Sequence, residues 1–516
     1  MSAGNLIRNV MTLGGWTLVS RGAGFARDVL MANYLGAGAV ADAILVAQSL
    51  PNMFRRFFAE GAFNTAFVPI YSKKVEAGED AAEFAQNAFN AMAWLLVVFS
   101  VIGTLAMPAL VYAMAAGFQG DARFALAVLY GKIGFSYILF VSLVALISGV
   151  LVTKGRFVEA GFVPVLMNLA FIAAMLLADQ MGWNMGLTLA WTLPLTGILQ
   201  LAFAWYSARK LGQTFVLGLP RWTADLKRLA IIAGPAVLAG GVVQINLIVG
   251  RQVASQTEGA VAWLAYADRL YQLPLGVVGI AIGTALLPAL SRALRAGIEG
   301  EGRDALNRGT EFALALTVPA AVALVVIAGP LCTVLYQRGA FGTEDAANTA
   351  LALAIYGLGL PAFVLQKVLQ PLFYAREDTR RPFNYALLSM ITNLVIAVGL
   401  MPIMGFAAAA LATTLSGWIM ALQLWLGSRS MGAEAAFDSR LKARLWRIFV
   451  AAAVMGAVLW AANLMLLPML AAPGLRVLGL SILIGAGVIA YFSSGTLIGA
   501  FSIAELKSSL RRRKKT

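Results

Sequence analysis

The sequence predicts an all-α polytopic membrane protein with about 14 transmembrane helices. Charged residues make up only 12% of the 516 positions, about half of the roughly 25% share found in soluble domains. Apolar runs of roughly 18 or more residues, the length of a membrane span, recur from one end of the chain to the other. A large soluble core could bury one such run, but their repetition indicates a membrane.

Proline, glycine and charged residues divide the apolar sequence into separate helices. Because their number is even, both chain termini are expected on the same side of the membrane. The predicted spans are 6–35, 38–72, 84–117, 123–152, 158–179, 185–208, 228–252, 259–291, 306–335, 346–375, 382–401, 406–428, 446–467 and 475–501.

The distribution of positive charge orients these spans. With the N-terminus inside, most of the 39 Lys and Arg residues fall in cytoplasmic segments, and external segments hold only Arg123, Arg251, Arg338 and Arg476. Cytoplasmic loops of membrane proteins carry such an excess, so both termini are predicted to be cytoplasmic. The same distribution argues against a nucleic-acid partner for the net charge of +15. It also places the basic tail near anionic membrane lipids.

Several chemistries are excluded by residues that the sequence lacks. Histidine is absent and Cys332 is the only cysteine, so an intrachain disulfide cannot form and no metal site is expected. No phosphate-binding loop of the ATPase type is present. We therefore expect no cofactor. Transport by such a membrane protein would use the membrane potential or a coupled cation.

An internal repeat is visible at an offset of about 220 residues, or six helices. Gly38-Ala39-Val40-Ala41 recurs as Gly259-Ala260-Val261-Ala262, and Leu50-Pro51 recurs as Leu273-Pro274. An offset of six helices keeps both copies in the same orientation, which predicts two six-helix lobes related by a pseudo-two-fold axis along the membrane normal. The predicted organisation is an N-lobe at 1–215, a C-lobe at 216–432, two further helices in 433–501 and the basic tail at 502–516.

Charged side chains inside the predicted spans are the candidate functional residues. Each costs roughly 2.5–3.5 kcal/mol at the centre of a bilayer on insertion scales, so each should face a cavity or a partner. The first span holds Arg21, Arg27 and Asp28, the second holds Asp42, Arg55, Arg56 and Glu60, the eighth holds Asp268 and Arg269, and the tenth holds Lys367.

Structural pairing competes with a binding role for each of these residues. The i,i+4 spacing of Arg56 and Glu60 favours a local ion pair, and pairing is also favoured for Asp28 and Asp268. For Arg21, Arg27, Arg55 and Arg269 the balance favours a cavity of net positive charge. Guanidinium groups bind phosphate through paired hydrogen bonds, so phosphate or pyrophosphate is the natural anionic ligand.

Several of these residues stand in longer strings that resemble the MurJ family of lipid II flippases. The strings are Ser20 to Asp28, Leu50-Pro51-Asn52-Met53-Phe54-Arg55-Arg56-Phe57-Phe58-Ala59-Glu60-Gly61-Ala62-Phe63, Asp268-Arg269-Leu270 and Lys367-Val368-Leu369. The resemblance extends over essentially the full length. It implies the fold of the multidrug/oligosaccharidyl-lipid/polysaccharide exporter superfamily, with two extra helices that form a groove for a lipid tail.

The resemblance also implies a function. The family moves an undecaprenyl-pyrophosphate-linked peptidoglycan precursor, lipid II, from the cytoplasmic to the periplasmic leaflet of the bacterial inner membrane by alternating access. Arg21, Arg27, Arg55 and Arg269 match the arginines that engage pyrophosphate. Gating or supporting roles are assigned to Asp42, Glu60, Arg56, Asp28 and Lys367. Lipid II and membrane lipids are the expected partners, and a monomer is the expected functional form.

Three other functions compete with this one. A flippase for another polyprenyl-pyrophosphate-linked oligosaccharide fits the charge equally well, although the string in the second span speaks against it. An exporter of cationic drugs should carry more Asp and Glu in its spans. A membrane enzyme acting on lipid-linked sugars would need an acid/base or metal cluster in larger loops, and the predicted loops are short.

Overall fold

The computed structural model describes residues 3–56, 62–296 and 300–500, and these residues form 18 α-helices and no β-strand. The predicted all-α class is confirmed. The helices are α1 (Ala3–Leu35), α2 (Ala39–Arg55), α3 (Ala62–Ala77), α4 (Ala81–Leu105), α5 (Met107–Met114), α6 (Ala122–Gly134), α7 (Tyr137–Thr153), α8 (Phe157–Met181), α9 (Met185–Arg209), α10 (Ala224–Ala254), α11 (Ala260–Ala296), α12 (Glu301–Val326), α13 (Ala328–Tyr336), α14 (Thr343–Tyr374), α15 (Arg380–Met404), α16 (Ala407–Ser428), α17 (Ser439–Ala471) and α18 (Arg476–Leu497).

Many of these helices carry their apolar residues on the outside. Within the described ranges, nine helices are long and apolar enough to cross a membrane, or ten if the bent pair α6 and α7 is one span. In α15 only 17% of the most apolar window is buried, which suits a helix surrounded by lipid. The predicted number of 14 spans stays a prediction.

Four predicted spans are divided in the structure. The span 84–117 breaks at Ala106 into α4 and α5, and the span 306–335 breaks at Ile327 into α12 and α13. Pro108 and Pro330 lie just beyond these breaks. Proline has no N–H to donate to the carbonyl four residues earlier, and its ring collides with that carbonyl. The span 123–152 bends by 41° between α6 and α7, and the span 38–72 is described as α2 and α3, with 57–61 outside the described residues.

The internal repeat reappears in the order of the helices. The starts of α4, α8 and α9 precede those of α12, α15 and α16 by 220, 223 and 222 residues. Both copies also break their third predicted span at the equivalent place, α4/α5 in the first and α12/α13 in the second. The sequence similarity at an offset of about 220 therefore reflects a repeated helical unit.

The helices group into two compact units, one of Met1–Ala262 with Arg338–Phe341 and one of Trp263–Gln337 with Gly342–Thr516. The predicted boundaries at 215/216 and 432/433 stay predictions. In the first unit α1 packs along α8, and α10 packs along α3. Asn168 on α8 donates from Nδ2 to the Ser20 carbonyl at 3.0 Å, and its amide lies against the Cα of Gly24. This contact fixes the part of α1 that carries the first arginines.

In the second unit, α17 packs on α12 and α18 packs on α17. Their shared core includes Leu314, Ile448 and Leu459, and the Tyr491 hydroxyl donates to the Ala315 carbonyl at 2.6 Å. Ion pairs fasten the first turns of α17 to α12. Glu311 accepts from Arg308, Arg440 and Arg444, and Arg308 also binds Asp438, which caps α17.

We expect the cap at Asp438 to make the stability of this unit depend on acid pH. Burial raises the pKa of the Asp438 carboxyl, but the Leu441 N–H and the Arg308 guanidinium outweigh it and hold the pKa below its usual range. The ionised cap therefore stabilises the fold above about pH 4, where the unfolded carboxyl is also ionised, and its contribution is lost as pH falls through the folded pKa.

Thermal unfolding of purified protein in detergent would measure this effect. Asp438→Asn should lower Tm near pH 7, and the difference from the parent protein should shrink as pH falls below about 4. A difference in Tm that stays constant down to about pH 3 would contradict this role of the carboxylate.

Candidate functional site

Arg27 and Asp28 form a buried ion pair on α1. The Arg27 guanidinium donates to Asp28 Oδ1 from both Nε, at 3.0 Å, and Nη2, at 2.7 Å. The guanidinium carbon also lies 5.7 Å from the ring centroid of Phe171 on α8, a cation–π arrangement. The charges that the sequence placed in the first span are thus neutralised locally, which lowers the cost of holding them inside a membrane helix.

The other arginines of the first unit are more accessible. Arg21 is exposed, on α1 one to two turns before Arg27. Arg55 ends α2 and is half-buried, while Arg56 is exposed at the helix cap. Positive charge at the end of a helix interacts favourably with the carbonyl groups there. Glu60, the predicted partner of Arg56, lies outside the described residues.

The predicted charges of the second unit lie on α11 and α14. Arg269 and Lys367 are exposed, and Asp268 is half-buried and accepts a hydrogen bond from Gln272. Gly279 makes room for Lys367, because a Cβ at Gly279 would lie 2.5 Å from Lys367 Nζ. Arg269 and Lys367 belong to a different unit from Arg21, Arg27 and Arg55, so a common anion site stays a prediction.

Asp42 has the most extensive contacts of the predicted residues. Its side chain is fully buried near the start of α2. Its two carboxylate oxygens accept from the backbone N–H groups of Gly259, at 2.8 Å, and Ala262, at 3.0 Å. These N–H groups belong to the first turn of α11, which has no helical partners for them. A carboxylate at this place is stabilised by the positive end of the helix.

Arg123 connects Asp42 to a second carboxylate. It lies 3.4 Å from Asp42 and 2.7 Å from Asp121, and its guanidinium stacks on Phe118. Sequence reasoning placed Arg123 in an external loop and gave it no role. Charge asymmetry alone could not reveal a partner 81 residues away, although the isolated Asp42 in an apolar stretch was a signal that a buried cation was needed.

Further contacts join the same end of the first unit. Gln252 and Ser255 of the α10 end bind the backbone of residues 112–117. The short connection after α13 reaches the end of α1, where the Ala340 N–H donates to the Asn33 carbonyl at 2.8 Å. We call this hydrogen-bonded end of the unit, around Asp42, Arg123, Gly259 and Ala340, the Asp42 network.

At the equivalent position, the second copy of the repeat has a different residue and a different hydrogen bond. The residue that follows Gly259-Ala260-Val261-Ala262 is Trp263, where the first copy has Asp42. Its indole Nε1 donates to Asp345 Oδ1 on α14 at 2.9 Å. The carboxylate is therefore supplied by another helix, and the two copies are not interchangeable at this position.

A cleft of the first unit lies between α3 and α10. Its volume is about 400 Å³, and its lining includes Lys73, Lys74, Glu79, Asp225 and Arg228. Lys74 pairs with Asp225 at 2.9 Å and with Glu79 at 3.1 Å. The carboxylates thus neutralise part of the positive charge. In the described ranges no three His, Cys, Asp or Glu side chains are grouped to hold a metal ion.

Comparison with known proteins decides the family. The family model described as lipid II flippase MurJ matches residues 31–478. The chain belongs to the MurJ family. A "Probable lipid II flippase MurJ" of Rhizobium tropici is 41% identical over 99% of this chain and 97% of its own length. One of Rhizobium meliloti (strain 1021) is 42% identical over 98% and 97%. The predicted family is confirmed, and the chain is a multi-pass inner-membrane protein.

Solved structures agree on the fold. The structure titled "Lipid II flippase MurJ, inward closed conformation" aligns with a TM-score of 0.78 at 24% identity, covering 94% of this chain and 98% of that one. A structure titled "Inward-facing conformation of a multidrug resistance MATE family transporter of the MOP superfamily" aligns with a TM-score of 0.68 at 14% identity, covering 81% of this chain and 94% of that one. The predicted exporter fold is confirmed.

The Asp42 network predicts a large loss of stability when its carboxylate is removed. Asp42→Asn gives up the charge at the start of α11 and leaves the buried Arg123 with one carboxylate fewer. We expect a loss of about 3 kcal/mol, measured as a fall in Tm in detergent.

Asp121→Asn is the matched control, because Asp121 is partly exposed and the bonds of Asp42 to Gly259 and Ala262 remain. Its effect should be about 1 kcal/mol or less. Equal losses in the two variants would show that the network is not centred on Asp42.

Proposed function

We propose that this protein moves lipid II from the cytoplasmic to the periplasmic leaflet of the inner membrane, with both of its own termini in the cytoplasm. Membership of the MurJ family supports the substrate, and the arginines retained inside membrane helices support the chemistry. A pyrophosphate carries several negative oxygens, and guanidinium groups in a site of low dielectric bind them strongly. The observation that carries the proposal is the exposed Arg21 one to two turns from the paired Arg27 on α1.

The two arginines of α1 would act in sequence. Arg21 is accessible and makes the first contact with the pyrophosphate. Arg27 is already held by Asp28 through Nε and Nη2, so it would bind the substrate through its remaining N–H groups or by exchanging the carboxylate for a phosphate. Both partners are oxyanions, and this exchange keeps the guanidinium satisfied throughout. Arg55, from α2, and Arg269, from α11, complete the proposed anion site.

Alternating access requires one end of the site to close while the other opens. With the N-terminus inside, the end of α1 and the start of α2 face the periplasm, which makes the Asp42 network the proposed periplasmic closure. Asp28, Arg56, Glu60 and Lys367 are proposed to support the arginines or to take part in gating. The polyprenyl tail would lie along α17 and α18.

The energy source proposed here is the membrane potential, with a coupled cation as the alternative. An empty site with excess arginine is positive, so a potential that is negative inside draws it toward the cytoplasmic side. One elementary charge across 100 mV corresponds to about 2.3 kcal/mol. The protein is proposed to act as a monomer without a nucleic-acid partner.

Removal of the proposed site arginines should slow flipping without unfolding the protein. In proteoliposomes with fluorescent lipid II, we expect Arg21→Ala, Arg27→Ala and Arg269→Ala each to slow translocation by about tenfold or more, since a hydrogen bond to a charged group contributes about 1.5–3 kcal/mol. Arg21→Lys should recover only part of the rate, because lysine keeps the charge but not the paired geometry.

Lys442→Ala is the matched control, since Lys442 is an exposed cation in the first turn of α17 and is not part of the proposed anion site. It should flip lipid II at the parent rate. Normal translocation by folded Arg21→Ala and Arg269→Ala variants would overturn the proposed site.

The proposed driving force has its own test. An imposed potential, negative inside, should accelerate repeated turnover, and replacement of sodium by choline at constant potential should leave the rate unchanged. A rate that follows the cation and ignores the potential would assign coupling to the cation.

A further inference from the structure

The connection between α9 and α10 is an extended segment held along α4. It runs from Leu211 to Thr223 without helix or strand structure. Two of its side chains point inward. Phe215 is buried and its ring lies 5.1 Å from that of Phe89 on α4, and the buried Gln213 donates to the Ala82 carbonyl. We call residues 212–222 the strap.

Side chains bind the backbone of the strap as a neighbouring β-strand would. Gln86 and Asn87 each use both ends of the amide, Gln86 on the N–H and C=O of Val216 and Asn87 on those of Arg221. Asn90 accepts from the Gly218 N–H, and the Trp94 indole donates to the Gly218 carbonyl at 2.9 Å. Seven backbone groups of the strap are bound in this way when the Trp205 bond to the Phe215 carbonyl is included.

The outer face of the strap is apolar and strongly exposed. Val216, Leu217, Leu219 and Trp222 have exposed fractions of 68%, 64%, 79% and 72%. In water, it would be unfavourable to hold four such side chains outward on a backbone that is fixed at seven points. Contiguous exposed apolar surface of this kind marks an interaction with a protein or a membrane.

The contacts along α4 show how far the strap extends. They begin at Ala82, reach Trp94 and return to Asn87, so the strap runs out along α4 and comes back. Twelve residues of helix separate Ala82 from Trp94, a rise of about 18 Å. The interfacial layer on each side of the hydrocarbon is only about 5–8 Å thick. Since α4 is one of the apolar spans, with Ala82 at the water side of that layer the turn of the strap at Gly218 would lie at the hydrocarbon edge.

The amide side chains of α4 supply the hydrogen-bond partners that irregular backbone needs at this depth. Non-helical backbone is tolerated in a membrane only where its N–H and C=O groups are satisfied within the protein. Gln86, Asn87 and Asn90 supply those partners, and Pro220 removes one N–H that would need a partner. A strap in water could use solvent instead and would not need these three partners.

Basic residues flank the apolar face. Arg209 and Lys210 precede the strap and lie over the rings of Trp205 and Tyr206. Arg221, Lys227 and Arg228 follow the turn and are exposed. Apolar and tryptophan side chains with lysine and arginine beside them are the composition that binds an anionic membrane surface.

We propose that the strap is a membrane-inserted segment. Its Val216, Leu217, Leu219 and Trp222 side chains enter the hydrocarbon edge of the cytoplasmic leaflet, while its flanking cations bind anionic lipid headgroups. Only the choice of the cytoplasmic leaflet rests on the proposed orientation of the chain. The strap would hold α10 and α4 at a fixed depth relative to the lipid surface.

Depth can be measured by fluorescence, because the chain has one cysteine and it is buried. In a Cys332→Ser background, an NBD probe is attached to Leu217→Cys or Leu219→Cys and the protein is placed in phosphatidylethanolamine/phosphatidylglycerol vesicles. Val98→Cys, on the exposed face of α4, is the lipid-facing reference. Thr379→Cys, in an exposed connection, is the aqueous reference.

Both strap probes are expected to behave like the probe at Val98. Their emission should be blue-shifted and quenched several-fold more by brominated lipid than by aqueous iodide. In Gln86→Ala/Asn87→Ala protein the Leu219 probe should move toward the iodide-accessible behaviour of Thr379, because the unbound backbone must find water. Replacement of phosphatidylglycerol by phosphatidylcholine should make the Leu219 probe more accessible to iodide.

Strap probes that match Thr379 in vesicles of both compositions would overturn the proposal, as would strap probes that match Val98 but ignore the loss of Gln86 and Asn87. None of these measurements uses lipid II, so a failure here is distinct from a failure of the flipping assay.

Discussion

Hydrocarbon offers no hydrogen-bond partner, and this constraint accounts for several of the polar contacts among the residues that the structure describes. Backbone groups pair within helices, and the exceptions occur where a side chain replaces the missing partner. The Asp42 carboxylate serves the first turn of α11, and the amides of α4 serve the chain between α9 and α10. Charged groups follow the same rule, as Arg27 is held by Asp28 and Arg123 by two carboxylates. The fold is helical because helices need the fewest such exceptions.

The same constraint separates structural charge from functional charge. A cation that is buried and paired, such as Arg123, stabilises a junction between helices. Arg21 is an exposed cation on α1, and an accessible guanidinium is what the proposed binding of an anionic headgroup requires. Arg27 is buried and paired, but its partner is a carboxylate that a phosphate could replace.

The sequence alone predicted the fold well where apolar periodicity ends in polar or turn-forming residues. α8 and α9 lie within two residues of their predicted bounds, since Gly155 and Gly182 punctuate them. The breaks at Ala106 and Ile327 were missed because apolar residues continue on both sides, and Pro108 and Pro330 were the available signal. The candidate site was predicted as a set of charged residues. The hydrogen bond from the Gly259 N–H to Asp42 was not predicted, because it joins residues 217 positions apart and no local sequence pattern reveals it.

The difference between Asp42 and Trp263 has a consequence for how the chain can change over time. The two halves of a duplicated segment are equal at first. Here, however, one carboxylate of the first half caps α11, a helix of the second half. Substitutions at equivalent positions are therefore not equivalent in effect. The first half has an acid that α11 of the second half uses, while the second half has an aromatic residue at the equivalent position. The order of helices keeps a visible symmetry, and this contact makes the second half dependent on the first.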